Sequence, residues 1–537
     1  MRRRCAWHLL RLQDSLRWRD SRRLRDLLRR PLIALLAGVC LAAQAADVDS
    51  RLTDEVIPLA TDSMPARPRP LLEAGPQFLG TGPIGRGRRA PGGAMVQPSF
   101  QLFGSYRTGV SLADNETLQT TRFANRLDLF GNLYFSQTER LVFGLRPLDE
   151  TDALGGRRFS GYTSVSPDPD GISGSEDHFN LDSDTITHLF FEGDFGEVFP
   201  RWDGNDRRSL DYGFSFGRQP ISFQEGLLIN DSIDALGITR NNLKPFGSVS
   251  YRLTALVAWD EINRNTVSTA NLTRNAEAES ASLIGLFNEF DWRFSTVSFD
   301  LVYVDGGEFR GSDGGVPVMA ESGAAWYLGA GFVQRFGAVN TAFRLLASLP
   351  DDDPAEDMAA AMQLNALGIG DPATEGRLLF VETSWTPHGS YDLMYANAFV
   401  AVDDYRAAAL DPNVPGPLAR TGILFAGSAL GDGGAISSAA SDAAGFAFGR
   451  QWFFADKRRQ LVVEVAARQS TETCAGVVTT CLPDTVAVGA RYQMAFGRRG
   501  VFAVDTFVAR DENSGEGLAE DDSLQRTGLR LELLIKL

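Results

Sequence analysis

Lysine is almost missing from this chain of 537 residues: Lys244, Lys457 and Lys536 stand against 49 arginines. Cysteine is nearly as scarce, with Cys5 and Cys40 near the start and Cys474 and Cys481 near the end. No CxxC pair exists, which excludes a zinc knuckle, and no cofactor or metal is expected. Of the four histidines only His178, His188 and His388 lie beyond residue 45. A Ser-His-acid set needs its members within hydrogen-bond reach on one side of a fold. His188 near Ser183 and Asp184 is the arrangement closest to that, and isolated structural histidines are the plainer reading, so no enzyme is expected. From residue 47 onward there is no run of about 18 apolar residues, so no helix is expected to cross a membrane there.

Positive charge is missing from most of the chain as well. The formal net charge is −16, and residues 1–45 alone hold 11 Arg and 3 Asp, which leaves the remainder near −24. Without a basic footprint, nucleic acid is excluded as a partner. The acidic runs Asp351–Asp353 and Glu520–Asp522 lack the regular ligand spacing of a calcium loop and read as solvated surface. Residues 1–45 read as an export signal: an Arg-rich start, a short apolar core from Leu32 to Ala43, and an A-x-A site at Ala43-Gln44-Ala45. Cys40 follows Val39, a poor lipoprotein box, so lipidation is not expected. Export permits a Cys474–Cys481 disulfide, and two free thiols are the alternative. Residues 46–98 carry Pro, Gly and Arg without periodicity and read as a flexible periplasmic arm, with partner binding as the second reading.

What the sequence does contain is alternation. In the last fourteen residues Leu529, Leu531, Leu533, Ile535 and Leu537 alternate with Gly528, Arg530, Glu532, Leu534 and Lys536. Period two gives one apolar and one mainly polar strand face, whereas a helix would scatter the charges around its surface. A strand that stays apolar on one face to its last residue suits the closing strand of a transmembrane barrel. The texture recurs from Ser99 onward. Eighteen strands are expected, near 99–112, 121–136, 139–148, 184–196, 208–219, 232–243, 247–262, 280–291, 296–306, 323–335, 338–348, 376–387, 390–404, 443–455, 458–470, 484–496, 499–511 and 524–537. The stretch 232–243 shows little alternation and is included because the up-down parity fails without it. Short links follow even-numbered strands and longer ones, such as 149–183 and 405–442, follow odd-numbered ones. The expected fold is therefore all-β: one antiparallel up-and-down barrel over 99–537, in the outer membrane of a Gram-negative bacterium, with short periplasmic turns and long extracellular loops.

An open sheet edge cannot face lipid, so the strands must close, and about eighteen of them enclose an aqueous lumen. The alternation rule turns Arg107, Arg122, Arg126, Arg140, Arg146, Arg252, Arg344, Arg468, Arg491 and Arg530 inward. The acids it turns inward are fewer: Asp128, Asp260, Asp300, Glu464 and Glu532. Arginine never deprotonates and grips carboxylate or phosphate with a planar fork, so this wall suits anionic solutes. Cross-strand pairing, such as Arg126 with Asp128 or Arg530 with Glu532, is the structural alternative. Tyr106, Phe135, Trp259, Trp292, Trp326, Trp385 and Trp452 lie near strand ends, as interfacial girdle residues do; a sugar-stacking track is the sharper reading.

At Gly217-Arg218-Gln219-Pro220, followed by Glu225-Gly226 and Asp231, the sequence resembles the alginate export family of outer-membrane barrels. In that family a Gly-Arg-Gln at a strand end precedes a Gly-containing loop. The strand count and Arg-rich interior are similar too, over roughly residues 99–537. The resemblance implies passage of an anionic polysaccharide such as alginate through an electropositive lumen. Two departures are visible: the late turn Phe496–Arg499 is short where the family carries a long gating loop, and alternation turns Arg218 outward with Phe214 and Phe216. The expected function is a channel for anionic solutes or an acidic polysaccharide. A general or solute-specific porin is the alternative, as is a loop-plugged structural or adhesive barrel.

Overall fold

A computed structural model describes residues 69–75, 87–116, 118–136, 138–151, 157–166, 175–178, 186–202, 210–266, 274–313, 316–351, 362–364, 370–455, 457–471, 482–512 and 523–537. The export signal and the Cys474–Cys481 pair lie outside them.

Eighteen strands form one closed ring. They are β1 (Ser99–Asp114), β2 (Gln119–Tyr134), β3 (Arg140–Leu145), β4 (Ile186–Asp194), β5 (Tyr212–Phe223), β6 (Ile229–Leu243), β7 (Ser250–Thr266), β8 (Arg274–Asp291) and β9 (Ser295–Asp305). The second half is β10 (Ala325–Phe336), β11 (Val339–Pro350), β12 (Gly376–Trp385), β13 (Leu393–Tyr405), β14 (Ala440–Phe454), β15 (Arg459–Ser470), β16 (Asp484–Phe496), β17 (Gly500–Glu512) and β18 (Leu524–Lys536). Each pairs antiparallel with its neighbours in sequence, and β18 returns to β1 through Thr527↔Asp114 to Lys536↔Ser105. Closure leaves no lateral edge along the wall.

The pleat sorts side chains as the alternation requires. Val257, Ile284, Leu301, Leu328, Val488 and Leu531 stand on the outer skin, each 40% or more exposed. Their strand neighbours Ala258, Leu283, Val302, Tyr327 and Ala487 are buried inside. Such a skin is stable only against an apolar medium. No described helix is long and apolar enough to cross a membrane, which says nothing of strands.

The two rims differ. One carries short connections such as 337–338, 455–458 and 497–499, and the other carries long ones. At the long-loop rim Arg157–Ser166 continues the wall beside β2 through Gln119↔Ser166 to Asn125↔Ser160, and the hairpin Glu308–Asp313/Val316–Glu321 rises beyond β8 and β9.

The arm corrects one expectation, because part of residues 46–98 is regular rather than irregular. β18 runs out at Leu537, whose N–H bonds the Gly104 carbonyl, so the rest of the β1 edge has no partner from β18. Leu72–Ala74 takes that place, with Leu72↔Leu102, Glu73↔Gln101 and Ala74↔Phe100. A small hairpin, Arg88–Arg89 with Met95–Val96, follows. The Arg201 guanidinium donates to its Pro91 carbonyl at 2.8 Å. An unpaired strand edge recruits whatever extended backbone lies nearest, and the arm leads directly into β1 at Ser99.

Candidate permeation pathway

Two connections on the long-loop rim turn inward instead of outward. The first is the tight turn Gln224–Leu228 between β5 and β6. Gln224 and Glu225 both have positive φ (51° and 57°), a region L-residues avoid, and Gly226 follows at 87°. The left-handed turn aims the tip along the inner wall toward β9, three strands on from β6. The Gln224 amide donates to Asp300 at 2.7 Å and to Ser298 at 3.0 Å on β9.

The second is the long segment 406–439 between β13 and β14. Ala409–Leu410 pairs parallel with Ile229–Asn230 of β6. This explains the weak alternation of 232–243: Ile229, Ile233 and Ala235 are fully buried beneath the segment, so the inner face of β6 is apolar as well. The chain then crosses the lumen. The Glu464 carboxylate of β15 accepts the Ile423 and Leu424 N–H groups, each at 2.9 Å, and also the Tyr395 hydroxyl. The Leu424 side chain seats over Gly489 of β16 and Leu430 over Gly109 of β1. A Cβ at those glycines would lie 2.6 and 2.7 Å from the leucine methyls, so only glycine leaves the hollow. The Ala435 carbonyl accepts from Arg526 of β18 at 2.8 Å, and the Ala429 carbonyl from Arg126 of β2 at 2.9 Å.

The two connections pack against the wall. Leu227, Leu228, Leu418, Phe425 and Ile436 join Phe287, Tyr327, Phe380, Phe399 and Tyr405 from the walls in a single apolar cluster. Open space lies beside residues 423–435. A cavity of about 890 Å³ opens between β16–β18, β1–β2 and residues 423–435, lined among others by Arg122, Arg491, Arg526, Arg530, Asp432 and Asp505.

All ten arginines singled out from the sequence carry their side chains on the inner face or at its rim, and the structure divides them. Arg491 and Arg530 share one carboxylate: Arg491 binds Asp505 through two bonds of 2.8 and 3.0 Å, and Arg530 Nε approaches the same group at 3.0 Å. Arg126 and Arg146 likewise share Asp128, at 3.1 and 2.8 Å. Arg107 pairs with Glu532 at 2.5 Å, and Arg140 with Glu192. Arg122 reaches Asp432 at 3.3 Å, and Arg252 pairs with Glu289 at 3.0 Å. Arg526, outside those ten, pairs with Asp511 at 2.5 Å. From β16 round to β4, eight arginines are thus answered by six carboxylates, and the Arg107 and Arg491 side chains remain 29% and 23% exposed.

The other two are sealed. Arg468 is 2% exposed and donates to the Ser441 carbonyl at 3.1 Å, and Arg344 is 5% exposed. Arg344 lies under the partly exposed side chains of Glu225 and Glu382, a placement that depends on the inward connections and that strand periodicity does not report. Arg218 points outward as the alternation has it, pairing with Glu261 at 2.6 Å and Asp234 at 3.6 Å. His188 faces the lumen with its ring edge on Phe130, and its supposed companions Ser183 and Asp184 lie outside the described residues.

The residues that sequence reasoning missed are on the connections: Glu225, Arg420, Leu424, Leu430 and Asp432. No period marks them. The one local signal was the Gly-Arg-Gln-Pro…Glu-Gly…Asp stretch, which the structure places across the inward turn. There Asp231 is buried and accepts from the Asn263 amide at 2.9 Å.

No family model matches this chain, and no curated protein matches it. Solved structures do. A BenF-like porin from Pseudomonas fluorescens Pf-5 is similar over 82% of this chain and 99% of its own, at 11% identity and a TM-score of 0.48. OccK8 (OprE) of Pseudomonas aeruginosa is similar over 82% and 98%, at 10% identity and 0.46. OccK5 (OpdH) of the same organism covers the same shares at 10% identity and 0.45.

Proposed function

We propose that this chain is an outer-membrane channel for small anionic solutes. A closed ring satisfies its own backbone groups in lipid, and the apolar skin matches that solvent. The export signal read in residues 1–45 delivers such a chain beyond the cytoplasm. The observation that carries the anion reading is the shared-carboxylate geometry at Asp128 and Asp505. At Asp505, two guanidiniums on one carboxylate put excess positive charge on the cavity lining, where a partly desolvated ion feels it more strongly than in bulk water.

Small solutes suit this interior better than an acidic polysaccharide such as alginate, because the 406–439 segment and the Gln224–Leu228 turn enter the bore and narrow it. The same narrowing is what a structural or adhesive barrel would show, and conductance separates the two. The arm, hydrogen-bonded to the short-turn rim, is the surface for a periplasmic partner on this reading.

The test is charge removal on the open wall. Arg491→Gln with Arg530→Gln, assayed in planar bilayers under a KCl gradient, is expected to lower the chloride-to-potassium permeability ratio several-fold. The wild-type ratio in that double variant would overturn the assignment of the wall.

A further inference from the structure

At the junction of the two inward connections sits a ring of four charges. Arg344 comes from β11 and Glu382 from β12, Arg420 from the short 3₁₀ turn Pro417–Arg420, and Glu225 from the tip of the left-handed turn. Glu382 holds both guanidiniums, with Arg344 Nη1 at 3.2 Å and Arg420 Nε at 3.3 Å. Glu225 closes the ring from the other side. Its Oε2 lies 3.2 Å from Arg420 Nη2 and its Oε1 lies 3.8 Å from Arg344 Nη2.

The two carboxylates are held differently. Glu382 is fixed to a strand of the wall and is 28% exposed at its side chain, whereas the Glu225 side chain is 53% exposed. Its longer contact to Arg344 is an ion pair without hydrogen-bond geometry. Its backbone conformation is one that ordinary residues avoid, and so is that of Gln224 before it. Bonds from Gln224 to Asp300 and Ser298 hold the turn in that state. Glu382 sets one negative charge against two guanidiniums, and the tethered Glu225 supplies the second in the empty channel.

We propose that Arg344 and Arg420 form a binding site for the anionic group of a passing solute, a carboxylate or a phosphate, and that Glu225 is its tethered competitor. The site rests on the anion-channel reading above and adds a step to it: the solute's anionic oxygens take the place of the Glu225 carboxylate between Arg420 Nη2 and Arg344 Nη2. Glu225 then swings into the lumen, and rebinding expels the solute. A permanent internal ligand keeps the site from trapping what it conducts, because conduction needs sites that are entered and left easily. Apparent affinity is reduced by the fraction of time the site is occupied from within, so a competitor bound about nine-tenths of the time weakens it about tenfold.

The experiment uses the full chain in planar bilayers, with inorganic phosphate as the probe added to one side and interruption of the KCl current as the readout. Glu225→Gln keeps the shape of the side chain and removes its charge. It is expected to strengthen phosphate block about tenfold, and Glu225→Gln with Arg420→Gln returns it to or below the wild-type level. Glu225→Asp, one methylene shorter, is expected to fall between wild type and Glu225→Gln. Heat-dependent gel mobility reports whether each variant closes its barrel, and the Asp variant carries the comparison where Gln does not fold. Larger KCl conductance without tighter phosphate block would overturn the proposal, as would tighter block that survives the loss of Arg420. A cation-selective wild type that still gains phosphate affinity in Glu225→Gln would remove the channel's anion selectivity and leave this site standing.

Discussion

Glu464 shows how much one side chain can hold here. It is 1% exposed, and it is the acceptor for two backbone N–H groups of the segment that crosses the lumen. Glu464→Ala leaves those donors buried without a partner, at about 1–3 kcal/mol each. The expected outcome is a raised single-channel conductance together with faster amide exchange over residues 421–426, measured by hydrogen-exchange mass spectrometry. Unchanged exchange would show that the apolar seats alone hold the segment. Those seats are tested separately. Leu424→Ala empties the hollow over Gly489 and is expected to cost about 2–5 kcal/mol of segment docking, again seen as local exchange without loss of the barrel.

Among elements, the strands were legible and the connections were not. Period-two alternation placed β9 through β18 within three residues, because lipid on one side and water on the other sort side chains at every second position. The inward direction of Arg491 and Arg530 followed from the same rule. What the rule cannot reach is a segment whose burial comes from tertiary contact. Leu418, Leu424, Phe425 and Leu430 are apolar at irregular spacing in 406–439, and nothing local separates them from an outward loop. The sharing of Asp505 by two arginines is equally non-local, since it joins β16, β17 and β18 across side chains 14 and 25 residues from the acid. The arm was hidden for a similar reason: Leu72–Ala74 is a strand only because β18 ends before the β1 edge does. Deleting residues 70–75 is therefore expected to lower the temperature at which the barrel loses its heat-dependent gel mobility. The register has three residue pairs, and each hydrogen bond contributes about 0.5–1.5 kcal/mol net. A melting temperature equal to that of the full chain would make the pairing incidental.

For the whole molecule, a strongly acidic chain gathers arginines on one stretch of its inner wall, from β16 round to β4, where pairs of guanidiniums share Asp505 and Asp128. The two inward connections narrow the lumen, and a cavity remains beside this arginine-rich stretch. Surface charge is screened over about 8 Å at physiological salt, so the loops influence entry while the wall decides passage. Raising the salt is accordingly expected to weaken selectivity without abolishing it.

The most direct measurement is the reversal potential of single wild-type channels in a tenfold KCl gradient. A potential displaced toward the chloride equilibrium value is expected from a lumen lined as described. A potential displaced toward the potassium value, or no conductance at all, would contradict it.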